Sequence, residues 1–588
     1  MQLSAAQRLI EESFGVDDAI GRVVIVSGAK ASIGLKKEAR DSEAMSERAT
    51  VGNYLGIRSG RALIIGVITE VSLQVLPMAR EQGLDATAEV DLVGEIKADH
   101  KGMMNFQRGV TIYPTIGDPV SLITESELQV VFGFGGPDVV DIGQLHQDIG
   151  LRAHANVDDL LAKHFAILGT TGVGKSSGVA VILREIMAQR PDLRVFLIDP
   201  HNEYGHCFED RAQTLTPANL RLPFWLFNFE EIIDVFYRGR PAIDDEIEIL
   251  SDVIPIAKKI YAQAKSTDRG RITDPGYSVD TPVPYRLNDL VSLIDERMGK
   301  LENRSSRVTH NKLLQRITSV VNDPRYTFMF EAANVGGDTM ASVLGQLFRM
   351  PIQDRPMTIM QLAGFPAEVV DSVVSVLGRM AFDFGLWSDG ALPLLFVCEE
   401  AHRYASANRE IGFGPTRRAI SRIAKEGRKY GVFLGLISQR PAELDATILS
   451  QCSTFFVMRL ANERDQNIVK SAVSDAGSAL LSFVPSLGTR EVFAFGEGVA
   501  LPTRLKFKEL PKEALPRSEA ISDAKADFGR TVDRNFIDVV VDRWRGATLA
   551  GRIQSDDRAG ENAAPETKPL DPKRYTLLKK GGPTHIDD

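Results

Sequence analysis

Residues 164–176 read HFAILGTTGVGKS, an apolar run that passes without a break into a glycine-rich loop. The loop has the form GxxxxGK[ST], and the residues that follow it, VAVILREIMAQR (179–190), carry helical periodicity and stop before Pro191. A strand feeding such a loop and then a helix is a phosphate cradle. The glycines let backbone N–H groups turn inward around phosphate oxygens, and the helix N-terminus adds its positive dipole end. The spacing therefore predicts that Thr171, Gly172, Val173, Gly174, Lys175, Ser176 and Ser177 bind a nucleoside triphosphate, ATP. Lys175 would reach the β- and γ-phosphates, and the Ser176 hydroxyl would ligate Mg²⁺.

A chain of 588 residues is too long for one core, so several domains are expected. Apolar content of 44% and charged content of 25% belong to the ordinary globular class. No apolar run is long enough to cross a membrane, and the start MQLSAAQRLIEESFG reads as an amphipathic helix without a secretion-signal pattern. Cys207, Cys398 and Cys452 lie far apart with no metal spacing, which suits buried thiols in a reducing cytoplasm. The net charge of −9 argues against a generally basic nucleic-acid coat, though a local field can oppose the global charge.

Outward from the loop, the pattern divides the chain. Upstream, GRVVIVSG (21–28), ALIIGVITEVSLQVL (62–76), AEVDLVGEIKA (88–98) and DPVSLIT (118–124) are short β-like runs, as in a small barrel or sandwich. Downstream, LRVFLIDPHNEYG (193–205), PMTIMQLAG (356–364), LPLLFVCEEAH (392–402), GVFLGLISQRP (431–441) and CSTFFVMRL (452–460) alternate with helical segments. That alternation predicts an α/β fold with a mostly parallel sheet. Residues from about 228 to 350 read as helices, an insertion beside the sheet, with a Gly/Pro-rich loop at 267–285. The runs at 489–507 read as a closing hairpin. The expected division is a β-barrel over 1–140, the first part of an ATPase core over 141–228, a helical insertion over 229–350, the second part of the core over 351–510, and a C-terminal helix with a mobile polar tail over 511–588.

The strand LLFVCEE delivers two acids, Glu399 and Glu400, at its C-terminal edge. Beside a phosphate loop, the first acid is expected to hold Mg²⁺ and the second to orient and deprotonate the attacking water. Asp is the usual residue in the first place, so Glu399 is a departure with a longer arm. Gln439 follows another apolar strand, where a neutral amide can hydrogen-bond the γ-phosphate or the water. Asp199, with Glu203 and Tyr204 after it, also ends a strand and is expected near the nucleotide. Between these strands, PTRRAISRIAKEGRKYG (415–431) carries six cations against one acid, and helical spacing aligns Arg418, Arg422 and Lys425 on one face. Such a face can be merely solvated, can meet DNA, or can lend an arginine to a neighbouring subunit's triphosphate.

Taken in order, GTTGVGKS, IDPHNEYG, VCEEAHRY, RIAKEGRKYG and LISQRPAELDATILSQCSTFFVMRLAN, after a β-rich segment, resemble the HerA-type hexameric DNA translocases of the FtsK–HerA superfamily. The resemblance spans roughly residues 15–510. It implies a homohexameric ring with an N-terminal barrel, a RecA-like P-loop core and a helical-bundle insertion. It also implies ATP-driven movement of double-stranded DNA, with an effector such as a NurA-type nuclease or a sirtuin-like protein docked on the barrel. On this resemblance Glu399 takes the metal position, Glu400 the catalytic one and Gln439 the sensor glutamine. Arg428 becomes the arginine acting in trans, with Arg422 and Arg459 as further candidates, and Lys163 a basic residue that touches nucleotide just before the loop strand. The related coupling ATPases of conjugation and secretion share this core, and a nucleotide-gated scaffold that organises an effector is a further alternative.

Overall fold

Eighteen strands in two sheets carry the described chain. The structure is a computed structural model that describes residues 19–37, 49–73, 83–98, 103–133, 138–148, 150–265, 276–300, 303–331, 337–351, 354–409, 412–472 and 479–517. The chain divides into two compact units, 1–531 and 532–588, and every described residue belongs to the first. The amphipathic start at 1–15, the first part of the loop at 267–285 (267–275) and nearly all of the expected C-terminal helix and tail lie outside the described residues.

The first sheet comprises β1 (Gly21–Ser27), β2 (Lys30–Lys36), β3 (Tyr54–Ser59), β4 (Ala62–Ser72), β5 (Leu84–Ala98), β6 (Met104–Arg108) and β7 (Pro119–Leu122). Its order is β2-β1-β7-β3-β4-β5-β6, and β2 also pairs with β5, so six antiparallel strands close into a barrel. Closure leaves those six without a free edge. Val23, Ile33, Leu35, Leu55, Ile57, Ile64, Ile68, Val90 and Val120 fill the interior. A helix that the sequence pattern did not announce, Glu125–Phe132, follows β7 and is capped by Thr124 and Glu127 in a reciprocal box.

The second sheet comprises β8 (Val139–Leu145), β9 (Arg152–Asn156), β10 (His164–Leu168), β11 (Arg194–Asp199), β12 (Ala212–Leu215), β13 (Met357–Gln361), β14 (Leu394–Cys398), β15 (Val432–Ser438), β16 (Cys452–Val457), β17 (Glu491–Gly496) and β18 (Thr503–Phe507). Seven neighbours, β12-β13-β11-β14-β15-β10-β16, run parallel. Strands β10, β13 and β14 are buried along their whole length, as continuous apolar runs covered on both faces must be. Beyond β16 the sheet turns antiparallel through β17, β18, β8 and β9. At that turn Phe455 and Phe495, directly paired in the ladder, stack at 5.1 Å.

The insertion contains the helices Phe229–Tyr237, Asp244–Lys265, Leu287–Gly299 and Arg304–Val321. Within it, buried Lys258 donates to the carbonyls of Ser278, Val279 and Thr281 at 3.2, 2.6 and 2.7 Å. The barrel grips the hairpin β17–β18 near its tip. Tyr54 donates to the Pro502 carbonyl at 2.6 Å, and Arg108 donates to those of Gly496 and Ala500 at 2.6 and 2.7 Å. Among the described residues no helix is long and apolar enough to cross a membrane.

Candidate active site

All seven parallel strands point their C-terminal ends to one edge, and the glycine-rich loop leaves β10 there, between β15 and β16. Ligands of open α/β sheets bind at that edge. Gly172 and Gly174 take positive φ, 78° and 92°, and no side chain caps the helix Lys175–Gln189 that begins next. Its first-turn N–H groups are thus free of side-chain acceptors and aimed at the loop's hollow.

Each neighbouring strand end sends a side chain into this hollow. After β11, Asp199 accepts the backbone N–H groups of Glu203 and Tyr204 at 3.1 and 3.0 Å, which folds the turn back on itself. Burial pushes its carboxyl up to about 6 despite those donors. The turn carries Glu203 to the loop, where it accepts the Ser176 hydroxyl at 2.8 Å, and Tyr204 donates to Glu399 at 2.9 Å.

After β14, Glu399 and Glu400 are both buried. Burial first, then the charges of Asp199 and Glu203, hold the Glu399 carboxyl well above the usual carboxylate range, against the pull of Lys175. Glu400 sits in the left-handed region at φ 50°, a conformation that costs a non-glycine residue and concentrates at functional sites. Its Oε1 lies 3.7 Å from the Lys175 ammonium and 3.9 Å from His201 Nε2; its Oε2 is 3.3 Å from His402 Nδ1. His402 is itself within 3.2 Å of the Ser438 hydroxyl at the end of β15, and burial lowers its pKa although Glu400 acts the other way. The next residue but one in that loop, Arg440, donates its N–H to the same hydroxyl at 3.0 Å. Between them Gln439 accepts the hydroxyl of Thr171, directly on the phosphate loop.

The donor set suits a divalent ion bound together with phosphate. Glu399 Oε2 and Glu400 Oε2 are buried without a hydrogen-bond partner. Among the described residues no group of three or more His, Cys, Asp or Glu forms a complete cage. One or two carboxylates, a hydroxyl, water and phosphate oxygens are how Mg²⁺ is ordinarily held.

The opposite edge is different in kind. Lys163 precedes β10 and pairs with Glu497 at 2.6 Å, at the far end of the strand from the loop. A residue just before a strand lies one strand length from whatever follows it, about 16 Å here, so Lys163 stands away from the phosphate loop of its own chain. Arg428 precedes β15 and is exposed on this same edge. Nearby, His164 accepts the Leu434 N–H at Nδ1 (3.0 Å) and meets the Ala424 carbonyl through Nε2 (2.9 Å), tying β10 and β15 to the end of the basic helix. Burial, with Arg428 adding to it, keeps this imidazole's pKa low. The basic helix Gly414–Glu426 is less free than its pattern suggested. Arg418 pairs with Glu230, and Arg422 lies 3.3 Å from Asp383 and 4.1 Å over the Phe382 ring, so both face the helices 229–237 and 367–387. Arg459 is at the loop edge, its carbonyl accepting both the N–H and the hydroxyl of Thr170.

With this geometry in place, comparison with known proteins adds a second line of observation. Residues 140–381 match the family model described as "Helicase HerA, central domain". The DNA double-strand break repair helicase HerA of Pyrococcus furiosus is 27% identical over 437 residues, 68% of this chain and 74% of that protein. Its namesake in Sulfolobus acidocaldarius is 26% identical over 401 residues, 67% and 73% of the two chains. These likenesses support a HerA-type P-loop ATPase. A solved structure, VirB4 of Thermoanaerobacter pseudethanolicus, aligns with a TM-score of 0.44 at 16% identity, over 65% of this chain and 99% of that one.

In this ATPase the loop residues 171–177, Glu399, Glu400 and Gln439 converge, while Lys163 and Arg428 share the other edge. Sequence reading named Glu203 without giving it a task and passed over His201 as a neighbour of Glu400. The acid of IDPHNEYG that reaches the phosphate loop is the second one, and only the turn held by Asp199 reveals it.

Proposed function

We propose that the chain is the subunit of a homohexameric ring that hydrolyses ATP to move double-stranded DNA, in a complex with an effector seated on the barrel. One observation carries this reading. A single sheet bears a nearly complete hydrolytic set on one edge and an exposed arginine, Arg428, on the other, where its own triphosphate cannot reach it. Two copies set edge to edge would complete one site.

In that site Lys175 and the loop N–H groups hold the β- and γ-phosphates. Ser176 and Glu399, with Glu203 beside them, would hold Mg²⁺, which when bound would neutralise charge on the phosphate oxygens. Glu400 takes a proton from water as the water oxygen attacks the γ-phosphorus and the bond to the bridging oxygen of ADP breaks. Gln439 orients that water, and Arg428 of the adjoining subunit compensates the spread of negative charge. The two relatives' names speak of DNA double-strand break repair, which supports DNA as the substrate here. A NurA-type nuclease as effector would place the complex in DNA end processing, and a sirtuin-like effector in anti-phage defence. Three free, buried cysteines accord with the cytoplasm.

ATP turnover with and without linear duplex DNA, alongside mass measurement of the native assembly, tests the proposal. DNA-stimulated turnover in a particle of six chains, abolished by Lys175→Ala, is expected. Turnover indifferent to DNA, or a stable monomer with full activity, would overturn it.

A further inference from the structure

A second arginine abuts the phosphate loop from within the same chain. Arg490 immediately precedes β17, and its N–H donates to the Val173 carbonyl at 2.8 Å, while its own carbonyl accepts from Phe507 N–H at 3.0 Å. Its φ is 64°, in the left-handed region that favours glycine. A Cβ built on Gly174 would lie 3.1 Å from Arg490 Cγ, so the side chain lies against the loop just before Lys175. The Arg490 side chain is about one quarter exposed, and its ion pair is a long one, 3.6 Å to Glu509, whose side chain is 80% exposed. A screened pair of that kind holds a side chain weakly. An arginine kept in a strained backbone state beside the phosphate cradle, with only a loose partner in solvent, is placed for an anion.

The geometry points to Arg490 as a nucleotide-binding residue acting in cis, its guanidinium on the α-phosphate of the bound nucleotide. This rests on the ATPase site described above and goes beyond it in assigning the residue and the phosphate. The γ end is marked by Glu400, Gln439 and, at the metal position, Ser176 with Glu203. On the helix that follows the loop, Phe507 covers Gly178, two residues from Ser176 and so about 200° around the axis. Phe507 N–H donates to the Arg490 carbonyl, so Arg490 stands on that other flank, away from Ser176 and the γ end. A nucleotide there exchanges the guanidinium's exposed carboxylate for a desolvated phosphate oxygen.

Fluorescent analogues of ADP and ATP, titrated into the full chain, test this. Arg490→Gly removes the charge and relaxes the backbone. It should leave the thermal midpoint of the nucleotide-free protein undiminished and weaken both analogues about tenfold or more. Steady-state turnover should show a raised KM with kcat within about twofold. Arg490→Lys should restore part of the affinity. Glu509→Gln, which frees the guanidinium, should bind as tightly as the parent or tighter. Parental affinity in Arg490→Gly overturns the inference, as does an equal loss in Glu509→Gln, which would make the ion pair structural. A fall in kcat at unchanged KM overturns the α-phosphate assignment. Lys175→Ala separates the two levels: if it abolishes binding while Arg490→Gly does not, the inference fails and the ATPase reading stands. If neither change matters, the reading of the loop itself fails.

Discussion

Glu203 accepts the hydroxyl of Ser176 at 2.8 Å across a separation of 27 residues. The serine is the loop's expected metal ligand, and the carboxylate comes from a turn whose other acid, Asp199, is wholly engaged in holding the backbone. Glu203 therefore aims Ser176 and adds charge where a divalent ion would sit. Glu203→Gln should raise the Mg²⁺ concentration for half-maximal ATPase about tenfold, as expected for one lost charge-assisted hydrogen bond. Nucleotide binding in excess chelator should not change. An unaltered Mg²⁺ titration would assign Glu203 to the turn alone.

Glu400→Gln keeps the size of the side chain and its place beside Lys175 while removing the base. ATP should bind at near-parental affinity and turn over about a hundredfold to ten-thousandfold more slowly. Rapid-quench measurement of a single turnover separates this from slow product release. Parental rates would move the role of base to Glu399 or Glu203.

Much of this site was legible before any coordinates. Continuous apolar runs fix β10, β14 and β15, and a glycine-rich loop or an acid pair at a strand end has few alternative uses. What escaped was determined by folding at a distance. Glu203 and Asp199 belong to one short motif, and only the direction of the turn decides which acid faces the loop. Arg490 reaches Val173 because the hairpin, legible at 489–507, joins the sheet beside β16, and no local pattern announces which strand it joins. That Lys163 stands away from its own phosphate loop follows from the sequence order alone, since a parallel strand keeps its two ends apart by its own length. The helix Glu125–Phe132 was hidden by its brevity, eight residues directly after a strand.

Arg428→Ala should bind ATP nearly normally and hydrolyse it poorly. Mixed rings with Lys175→Ala should regain activity, because the second subunit can lend its arginine to the first subunit's intact loop. Arg422→Ala should instead act on stability, having lost Asp383 and the Phe382 ring as partners. Absence of recovery in confirmed mixed rings would remove Arg428 from the trans role.

Lys258 offers a test in alkali. Burial lowers its pKa to about 8 from an ordinary value of 10.5. Below pH 8 both the folded and unfolded states carry the proton, and the full cost of burying it is present. Between about 8 and 10.5 the folded state sheds the proton first, so the unfolded state binds more protons and stability rises, by at most about 1.4 kcal/mol per pH unit. Hydrogen exchange over residues 276–283, corrected for intrinsic rates, should become more protected across that window. Lys258→Met should show weaker protection without this slope, since three carbonyls lose their donor. A flat parental profile would contradict the assignment.

The hairpin β17–β18 has one end at Arg490, against the phosphate loop, and the other at Gly496, Ala500 and Pro502, in the grip of Tyr54 and Arg108 of the barrel. Its six-residue first strand spans about 20 Å, and its ladder of backbone hydrogen bonds leaves little slack along that length. It is a tie rod. Whatever tugs on the barrel, whether a docked protein or a strained neighbour, bears through it on Val173. Conversely, a loop that tightens around phosphate pulls on the barrel, so the two ends work against a single stiff ribbon.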